Sequence, residues 1–399
     1  MRSQRDYIIT KSEVVETANL WLTQALKLNY VGTKCSTALV FQVLLLAAAR
    51  VVSIFAICRG LTKGPSDQTI RNALAATLPE VQELERRLNR ALATNLPKAL
   101  KRKARIIAMD LTLIPYHGKP AFDKKEIYRS QPKSGTTHFH AYATATVVEK
   151  GHRYTLALTR VEYGEKMVEV VKRLVRIVRR QVKIKFLLLD KGFFHVAVFR
   201  YLKRAGYGYR VPAMVRGRKP KGRKPHTGLR AIRKKKHGYY SHTLVGEDHG
   251  QTRHCDLTIC VASKSYTHKK TGKPARKKLM YAVWKVRLTP RQIRETYRRR
   301  FGIETSYRQM HEARIKTSTR EPSQRLLFVG IALLLRNVWV WFHFRLAHGK
   351  WHAEPKLFLK LLRFQDVLHW IMQIIEPLLG ANEKQGLDRE TYQRVTANC

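Results

Sequence analysis

The stretch ARIIAMDLTLIPY, residues 104–116, marks the point where the chain changes from helical to strand-like patterning. Most of its side chains are apolar, which is typical of a strand that is buried in a sheet. A single acid, Asp110, interrupts the apolar run. A carboxylate inside a buried strand costs free energy unless it is paired, hydrogen-bonded or bound to metal. The stretch therefore predicts a buried strand whose acid has a partner.

Strand and helix periods alternate downstream of this strand. The pattern predicts strands over residues 137–150, 152–163, 182–190 and 207–215, and helices over residues 164–181 and 195–206. The first two of these strands meet at Lys150 and Gly151, a hairpin-like junction, and the third ends at a second acid, Asp190. Three meandering strands followed by alternating helices and strands indicate an α/β fold, a mixed sheet covered by helices.

Composition divides the chain into five regions. We predict a helical domain at residues 1–103, the first part of a sheet domain at 104–215, a basic β-rich insertion at 216–278, the second part of the sheet domain at 279–322, and a C-terminal helical region at 323–399. In the first region, the turn at Gly64 and Pro65 and a short helix over residues 68–76 are similar to a helix-turn-helix, whose second helix can enter a major groove. In the insertion, the segments RGRKPKGRKPHTGLRAIRKKKHG and SKSYTHKKTGKPARKK predict basic loops around two strands.

The charge of the chain indicates a polyanionic partner. Lys and Arg number 78 and Asp and Glu number 28, which gives a formal net charge of +50. Such self-repulsion destabilises a compact state unless a polyanion neutralises it, and basic side chains that bind phosphates release condensed counterions. We therefore predict that the chain binds nucleic acid.

Membrane and secreted classes of protein fit the sequence poorly. The apolar stretches 38–58 and 326–344 are interrupted by Arg50 and Arg336, which favours buried core helices over membrane spans. The N-terminal stretch MRSQRDYIITKSE contains no apolar signal core. The five cysteines follow no paired spacing, which fits a reducing compartment and predicts no zinc site. We expect a cytoplasmic protein without a membrane partner.

Three acids are candidates for a metal site. Asp110 and Asp190 belong to apolar strands, and Glu304 follows in a helix that Thr289 and Pro290 open as cap and first residue. Ligands of open α/β sheets lie beyond the carboxyl ends of strands, where these carboxylates can converge. Mg²⁺ prefers oxygen ligands, and two ions about 3.5–4 Å apart promote phosphoryl transfer. Taken singly, each acid can instead be a helix cap or a member of an ion pair.

The segment YRRRFGIETSYRQMH, residues 297–311, surrounds Glu304 with basic and aromatic side chains. On one continuous helix, its three- and four-residue spacings bring five side chains to one face. These are Tyr297, Arg300, Glu304, Arg308 and His311. A carboxylate aimed at metal, with cations one turn away, matches a scissile phosphate and its neighbours. The simpler alternative is an exposed pair of Arg300 and Glu304, worth about 0.2–0.5 kcal/mol.

With these motifs the chain resembles the DDE transposases of bacterial and archaeal insertion sequences. The similarity is to the branch with the signature Y-x2-R-x3-E-x6-K, which here consists of Tyr297, Arg300 and Glu304, with His311 in place of the final Lys. The motifs AMDLTLIPYHG, with Asp110, and LLLDKGFF, with Asp190, match the two aspartate motifs in order and spacing. The resemblance covers about residues 104–316.

The resemblance implies a fold, a chemistry and partners. It implies a ribonuclease H-like mixed sheet with a β-rich insertion, in which Asp110, Asp190 and Glu304 hold two Mg²⁺ or Mn²⁺ ions. Water would then nick each transposon end, and the freed 3′-OH would join target DNA, with excision through a DNA hairpin. The partners would be terminal inverted repeats, target DNA and a second copy of the chain in a synaptic complex, in the nucleoid of a prokaryote.

The resemblance also implies residues that contact DNA. The candidates are Tyr297, Arg300, Arg308, His311 and Lys316 for phosphates, and Trp284 and Phe301 for stacking on a flipped base. Stacking of a base on an aromatic ring is worth about 1–3 kcal/mol. For Trp284, a place in the core of its strand is the alternative. His311 binds phosphate less well than Lys when its imidazole is neutral, so Arg308, Arg314 or Lys316 would compensate.

Two other hypotheses from the sequence stay open. One is a catalytically inactive DNA-binding protein derived from a transposase, in which the acids are structural. The other is a related two-metal DNA nuclease, which would lack preference for a terminal sequence. Inverted repeats outside the coding region, bordered by a short direct duplication, would favour the transposase.

Overall fold

The computed structural model of the protein describes residues 8–28, 31–32, 35–149, 153–218, 225–268, 271–347 and 359–381. The chain divides into two compact units. The helical unit comprises residues 1–94, 308–351 and 358–399, and the sheet unit comprises residues 95–307 and 352–357.

Helices and strands in the described part of the chain are numbered in chain order. The helices are α1 (Lys11–Leu26), α2 (Thr37–Arg50), α3 (Ile54–Cys58), α4 (Asp67–Thr77), α5 (Val81–Thr94), α6 (Lys98–Lys101), α7 (Met167–Arg179), α8 (Val196–Arg204), α9 (Gly228–Ile232), α10 (Pro290–Arg298), α11 (Phe301–His311), α12 (Pro322–Ala347) and α13 (Phe364–Leu379). The strands are β1 (Val31–Gly32), β2 (Cys35–Ser36), β3 (Arg105–Pro115), β4 (Tyr128–Lys133), β5 (Thr136–Val147), β6 (Thr155–Val161), β7 (Ile184–Leu189), β8 (Tyr209–Pro212), β9 (Gly238–Asp248), β10 (Gln251–Thr267) and β11 (Pro274–Trp284). Two turns of 3-10 helix cover Lys124–Glu126 and Lys191–Phe193.

Nine strands of the sheet unit form one mixed sheet, which confirms an α/β fold. Its order is β4-β5-β3-β7-β8-β11-β10-β9, and β6 also pairs with β5, along the edge that faces away from β3. β3, β7 and β8 run parallel, and the remaining pairs are antiparallel. β3 lies inside the sheet with strands on both sides, and its first six residues, 105–110, are all buried. The strands predicted over residues 104–116 and 182–190 are β3 and β7, and the junction predicted at Lys150 and Gly151 lies outside the described residues.

Helices cover both faces of the sheet. On one face, the ring of Tyr209 in β8 packs against Phe199 of α8, with ring centroids 5.1 Å apart. On the other face, the ring of Tyr281 in β11 packs against Tyr297 of α10, with centroids 5.0 Å apart. α7 packs its apolar stripe against the sheet, and Val171 is buried there like the other apolar residues of that stripe. The core of this unit therefore lies in two layers, one on each side of the strands.

The helix that carries Glu304 is divided in two, which differs from the continuous helix predicted. α10 begins as predicted, with Thr289 as its cap, Pro290 as its first residue and a capping box closed by Gln292. It ends at Arg298, and α11 begins at Phe301 after a turn. The break itself, Arg299 and Arg300, contains no proline or glycine, but Gly302 follows it within two residues and was the available signal.

The basic insertion joins the same sheet instead of standing apart from it. β9, β10 and β11 extend the sheet beyond β8, and β10 and β11 pair without interruption from Thr258 and Val283 to Thr267 and Pro274. The segment predicted as a basic loop at residues 263–278 is thus largely strand. β10 and β11 continue beyond their apolar residues, because the backbones of antiparallel strands form hydrogen bonds with each other whatever side chains they carry.

The helical unit packs its first helices against its last ones. α1 packs against α5 and α13, α13 against α2, and α12 against α5. Within it, the short helix predicted over residues 68–76 is α4, and the side chain of Ser66 caps it by accepting a hydrogen bond from the Thr69 N–H at 3.2 Å.

α12 is the longest helix in the described part of the chain. Pro322–Arg345 is long and apolar enough to span a membrane, but 94% of its most apolar window is buried inside the protein, as a core helix would be. Gly330 of α12 lies against Leu88 of α5, so closely that an added Cβ would stand 2.5 Å from the nearest Leu88 side-chain atom. This glycine therefore allows the two helices to approach each other.

Candidate active site

A single guanidinium joins the three predicted acids. Arg300 Nη1 lies 2.6 Å from Asp110 Oδ2, and Arg300 Nη2 lies 2.8 Å from Glu304 Oε1 and 3.5 Å from Asp190 Oδ1. The side chain of Arg300 is 9% exposed, that of Asp110 13%, and those of Asp190 and Glu304 39% and 47%. The site therefore has a buried floor, formed by Asp110 and Arg300, and a solvent-facing rim, formed by the other two carboxylates.

Three separate elements bring these carboxylates together. Asp110 lies in β3, where it stands opposite Thr144 of β5, and Asp190 immediately follows β7 at the start of a 3-10 turn. Met109 and Leu189 are partners in the parallel register, so Asp110 and Asp190 emerge at the same level of neighbouring strands. Glu304 lies in the first turn of α11. The sheet thus supplies two acids at the carboxyl end of β7, and the helix supplies the third.

Two buried tyrosines attach the helices to the acid-bearing strands. The Tyr297 hydroxyl donates to the backbone carbonyl of Leu189 at 3.1 Å, one residue before Asp190. The Tyr307 hydroxyl donates to the backbone carbonyl of Asp110 at 2.8 Å and also contacts the hydroxyl of Thr144 at 2.8 Å. Sequence reasoning missed Tyr307. Its position three residues after Glu304, one helical turn away, was the available signal.

Burial controls the protonation of the floor of the site. It raises the pKa of Asp110 to about 6, while the nearby Arg300 guanidinium lowers it and the Asp190 charge raises it. Burial also raises the pKa of the Tyr297 hydroxyl and, still more, that of Tyr307. Both tyrosines are therefore neutral hydrogen-bond donors, and Asp110 gains from any cation that approaches it.

The donor set of the site fits hard divalent cations. Three carboxylates, one buried and two open to solvent, are the oxygen ligands that Mg²⁺ and Mn²⁺ prefer. They already converge on one cation, the Arg300 guanidinium. Among the described residues, no group of three His, Cys, Asp or Glu side chains is arranged to share a metal ion. The three acids fit the metal by type, and the Arg300 guanidinium contacts each of them.

The other predicted site residues fall in different places. Phe301 is 50% exposed, and its ring centroid lies 5.5 Å from the guanidinium carbon of Arg300. Trp284 stacks on Tyr209, which faces α8, so it lies on the sheet face opposite to Tyr297. The structure therefore brings Phe301 to the acids and leaves Trp284 away from them. Three more candidates belong to the helical unit, where each is exposed: Arg308, His311 and Lys316.

Comparison with known proteins gives a family and a fold. The family model described as Transposase DDE domain matches residues 101–338. Among solved structures, the chain is similar to the piggyBac transposase in a synaptic complex with hairpin DNA, with a TM-score of 0.51 and 12% identity over 96% of this chain and 82% of that chain. At this identity the likeness concerns the fold alone. A search of curated proteins finds no match.

Proposed function

Because the chain belongs to the transposase DDE domain family, we propose that it is a cut-and-paste DNA transposase. It nicks the ends of a mobile element with water and joins the freed 3′-OH ends to target DNA. One observation carries this proposal: Asp110, Asp190 and Glu304, from three separate elements, converge on one cation. Ligands of open α/β sheets bind beyond the carboxyl ends of strands, which is where these acids converge.

The fold proposed for the catalytic core is ribonuclease H-like. The strand order β6-β5-β3-β7-β8, with three antiparallel strands followed by two parallel ones, supports it. The acids then stand on the first and fourth strands of that core and on a later helix. The insertion between Asp190 and Glu304 consists mainly of β9, β10 and β11, as the branch with the Y-x2-R-x3-E-x6-K signature would have it.

Asp110, Asp190 and Glu304 would hold two Mg²⁺ or Mn²⁺ ions. When bound, such ions activate the attacking oxygen and stabilise the leaving one. The residues of the chain do the positioning. Tyr297 holds the end of β7 and Tyr307 holds β3, so the strand acids keep a fixed separation. Correct placement of reacting groups supplies much of the rate of phosphoryl transfer.

Excision through a DNA hairpin is the second-strand route that we propose. The exposed ring of Phe301 beside Arg300 supports a stacking role for a flipped base. Trp284 offers less support, because it faces the other side of the sheet. Terminal inverted repeats, target DNA and a second copy of the chain in the synaptic complex are the proposed partners, in the cytoplasm of a prokaryote.

One observation favours the alternative of an inactive DNA-binding protein, since Arg300 neutralises the same acids in this structure. A cleavage assay with Mg²⁺ on DNA that carries the flanking inverted repeats decides between the two. We expect Asp110→Asn, Asp190→Asn and Glu304→Gln each to abolish nicking in Mg²⁺ and to leave end binding, measured without divalent ions, within about threefold, because each removes a metal ligand and no DNA contact.

Glu295→Gln is the matched control. Glu295 is a partly exposed acid of α10 that pairs with Arg291 and touches none of the three acids, so this variant should nick like the wild type. Nicking that survives in all three site variants would refute the proposed function. Nicking of any duplex regardless of its end sequence would favour the two-metal nuclease.

A further inference from the structure

Arg300 occupies the position that a metal ion would need. Its two terminal nitrogens contact all three carboxylates, and its Nε finds no hydrogen-bond partner among the described residues. An exposed ion pair would contribute little to stability. This guanidinium is buried at 9% exposure, so its charge needs an anionic partner at all times.

A divalent cation and this guanidinium cannot share the site. A metal ion placed among the carboxylates would take the oxygen lone pairs that Arg300 now uses, and its charge would repel the guanidinium at short range. A buried guanidinium that loses its carboxylates is left unpaired, which costs free energy until another anion reaches it. The abundant anion beside the active site of a transposase is a DNA phosphate, which Arg binds in a fork-like geometry.

The aromatic rings beside Arg300 give its side chain a route. The backbone itself is held in the turn between α10 and α11, since the Arg300 N–H donates to the Tyr297 carbonyl at 2.9 Å and the Arg300 carbonyl accepts from the Ile303 N–H at 2.8 Å. The guanidinium carbon of Arg300 lies 5.7 Å from the ring centroid of buried Tyr297 and 5.5 Å from that of exposed Phe301. A rotation toward Phe301 therefore carries the charge from the acids to the solvent-facing side without loss of its aromatic contact.

We propose that Arg300 is the resident counter-ion of the three acids in the metal-free protein, and that it moves to a DNA phosphate when divalent ions bind. Metal and DNA then bind cooperatively. A bound metal ion frees Arg300 to pair with a phosphate, and a phosphate that pairs with Arg300 frees the carboxylates to bind metal. This inference rests on the proposed function, because it takes the acids as metal ligands. It adds that Arg300 prevents the site from loading metal in the absence of DNA.

Binding of Mn²⁺, followed by electron paramagnetic resonance, tests the proposal without any cleavage. The DNA is a duplex that ends in the flanking inverted repeat, already cut and closed with a 3′-dideoxy nucleotide so that no reaction can occur. For the wild type, we expect this duplex to tighten Mn²⁺ binding about tenfold, within the usual range of coupling between sites. For Arg300→Gln, we expect tight Mn²⁺ binding without DNA and no further gain when the duplex is added.

Arg299→Gln is the matched control, because it removes the same charge from the neighbouring exposed side chain. It should keep the tenfold coupling, and its Mn²⁺ affinity without DNA should stay within about twofold of the wild type. If Arg300→Gln does not fold, two comparisons still test the proposal. They are the Mn²⁺ affinity of the wild type with and without the duplex, and the same comparison for Arg300→Lys, which keeps the charge.

The outcomes separate this inference from the proposed function. Equal Mn²⁺ affinity of the wild type with and without DNA overturns the role of Arg300 and leaves the transposase intact. An absence of Mn²⁺ binding even with DNA overturns the metal site itself, and with it the proposed function.

Discussion

The hydroxyl of Tyr297 points into the interior of the sheet unit, where it donates a hydrogen bond to the backbone carbonyl of Leu189. The resemblance implied a phosphate contact for this residue, and that contact stays a prediction; the side chain is buried, with 6% of its surface exposed. Its hydrogen bond to the residue before Asp190 makes Tyr297 a candidate for positioning that acid. The acids themselves were predictable because a carboxylate in an apolar strand is conspicuous, whereas a tyrosine hydroxyl fits a buried or an exposed place equally well.

Tyr297→Phe should separate positioning from phosphate binding. Loss of one buried hydrogen bond costs about 0.5–1.5 kcal/mol, so we expect nicking to slow several-fold, since Asp190 loses a support. The affinity for end DNA, measured by fluorescence anisotropy, should stay within about twofold. Tyr163→Phe, at an exposed tyrosine of the sheet unit, should leave both quantities unchanged. A weakened affinity with an unchanged nicking rate would instead support a phosphate contact.

At the scale of elements, the sequence predicted the apolar strands and missed β4 and parts of other polar strands. β3 and β7 agree with their predicted ranges within one or two residues because their runs are apolar. β4, the strand YRSQPK, was missed, since it is a mostly exposed edge strand that pairs with β5. The outer halves of β10 and β11 were taken for loops for the same reason. Cross-strand hydrogen bonds that extend polar segments leave no trace in hydrophobic periodicity.

The contact between α5 and α12 gives a prediction at this scale. Gly330→Ala places a methyl group 2.5 Å from Leu88, and overpacking of this kind costs about 1–3 kcal/mol, more than the roughly 1 kcal/mol that alanine gains over glycine in a helix. We expect a lower melting temperature by calorimetry. In a Leu88→Ala background, the same change should raise the melting temperature, because space is then available.

Gly192→Ala provides the comparison for this pair. An added Cβ at Gly192 meets nothing within 4 Å, so its melting temperature should match that of the wild type. A higher melting temperature for Gly330→Ala in the wild-type background would mean that Leu88 moves aside freely.

At the scale of the whole molecule, charge is the dominant property. The excess of 50 positive charges favours any polyanion, and the antiparallel pairing of β10 and β11 sets exposed Lys264 directly opposite exposed Lys277. Like charges opposite each other destabilise a hairpin. A phosphate between them would turn this repulsion into binding, which makes the hairpin a candidate DNA contact.

The dependence of DNA affinity on salt tests this charge directly. For a duplex of arbitrary sequence, we expect the affinity to fall about 10³-fold or more between 50 and 200 mM salt, as for proteins that make 6–10 phosphate contacts. Replacing Lys264 and Lys277 with Gln should lower the slope of log affinity against log salt by about 2. Lys172→Gln, at a lysine paired with Glu169, should leave the slope unchanged. A hairpin variant with the wild-type slope would place the DNA elsewhere.

The packing of α1 and α2 against α13 has a consequence for synthesis on the ribosome. These helices are made first, but their partner ends at Leu379. At about 5–20 residues per second, the ribosome completes α13 roughly 15–60 s after it has completed α5. During that interval α2 can pack against α1 and α3, but the part of it that α13 covers in the finished protein has no partner. Newly made chains are therefore natural clients of chaperones, and a transcript truncated before α13 would yield aggregates instead of a smaller working protein.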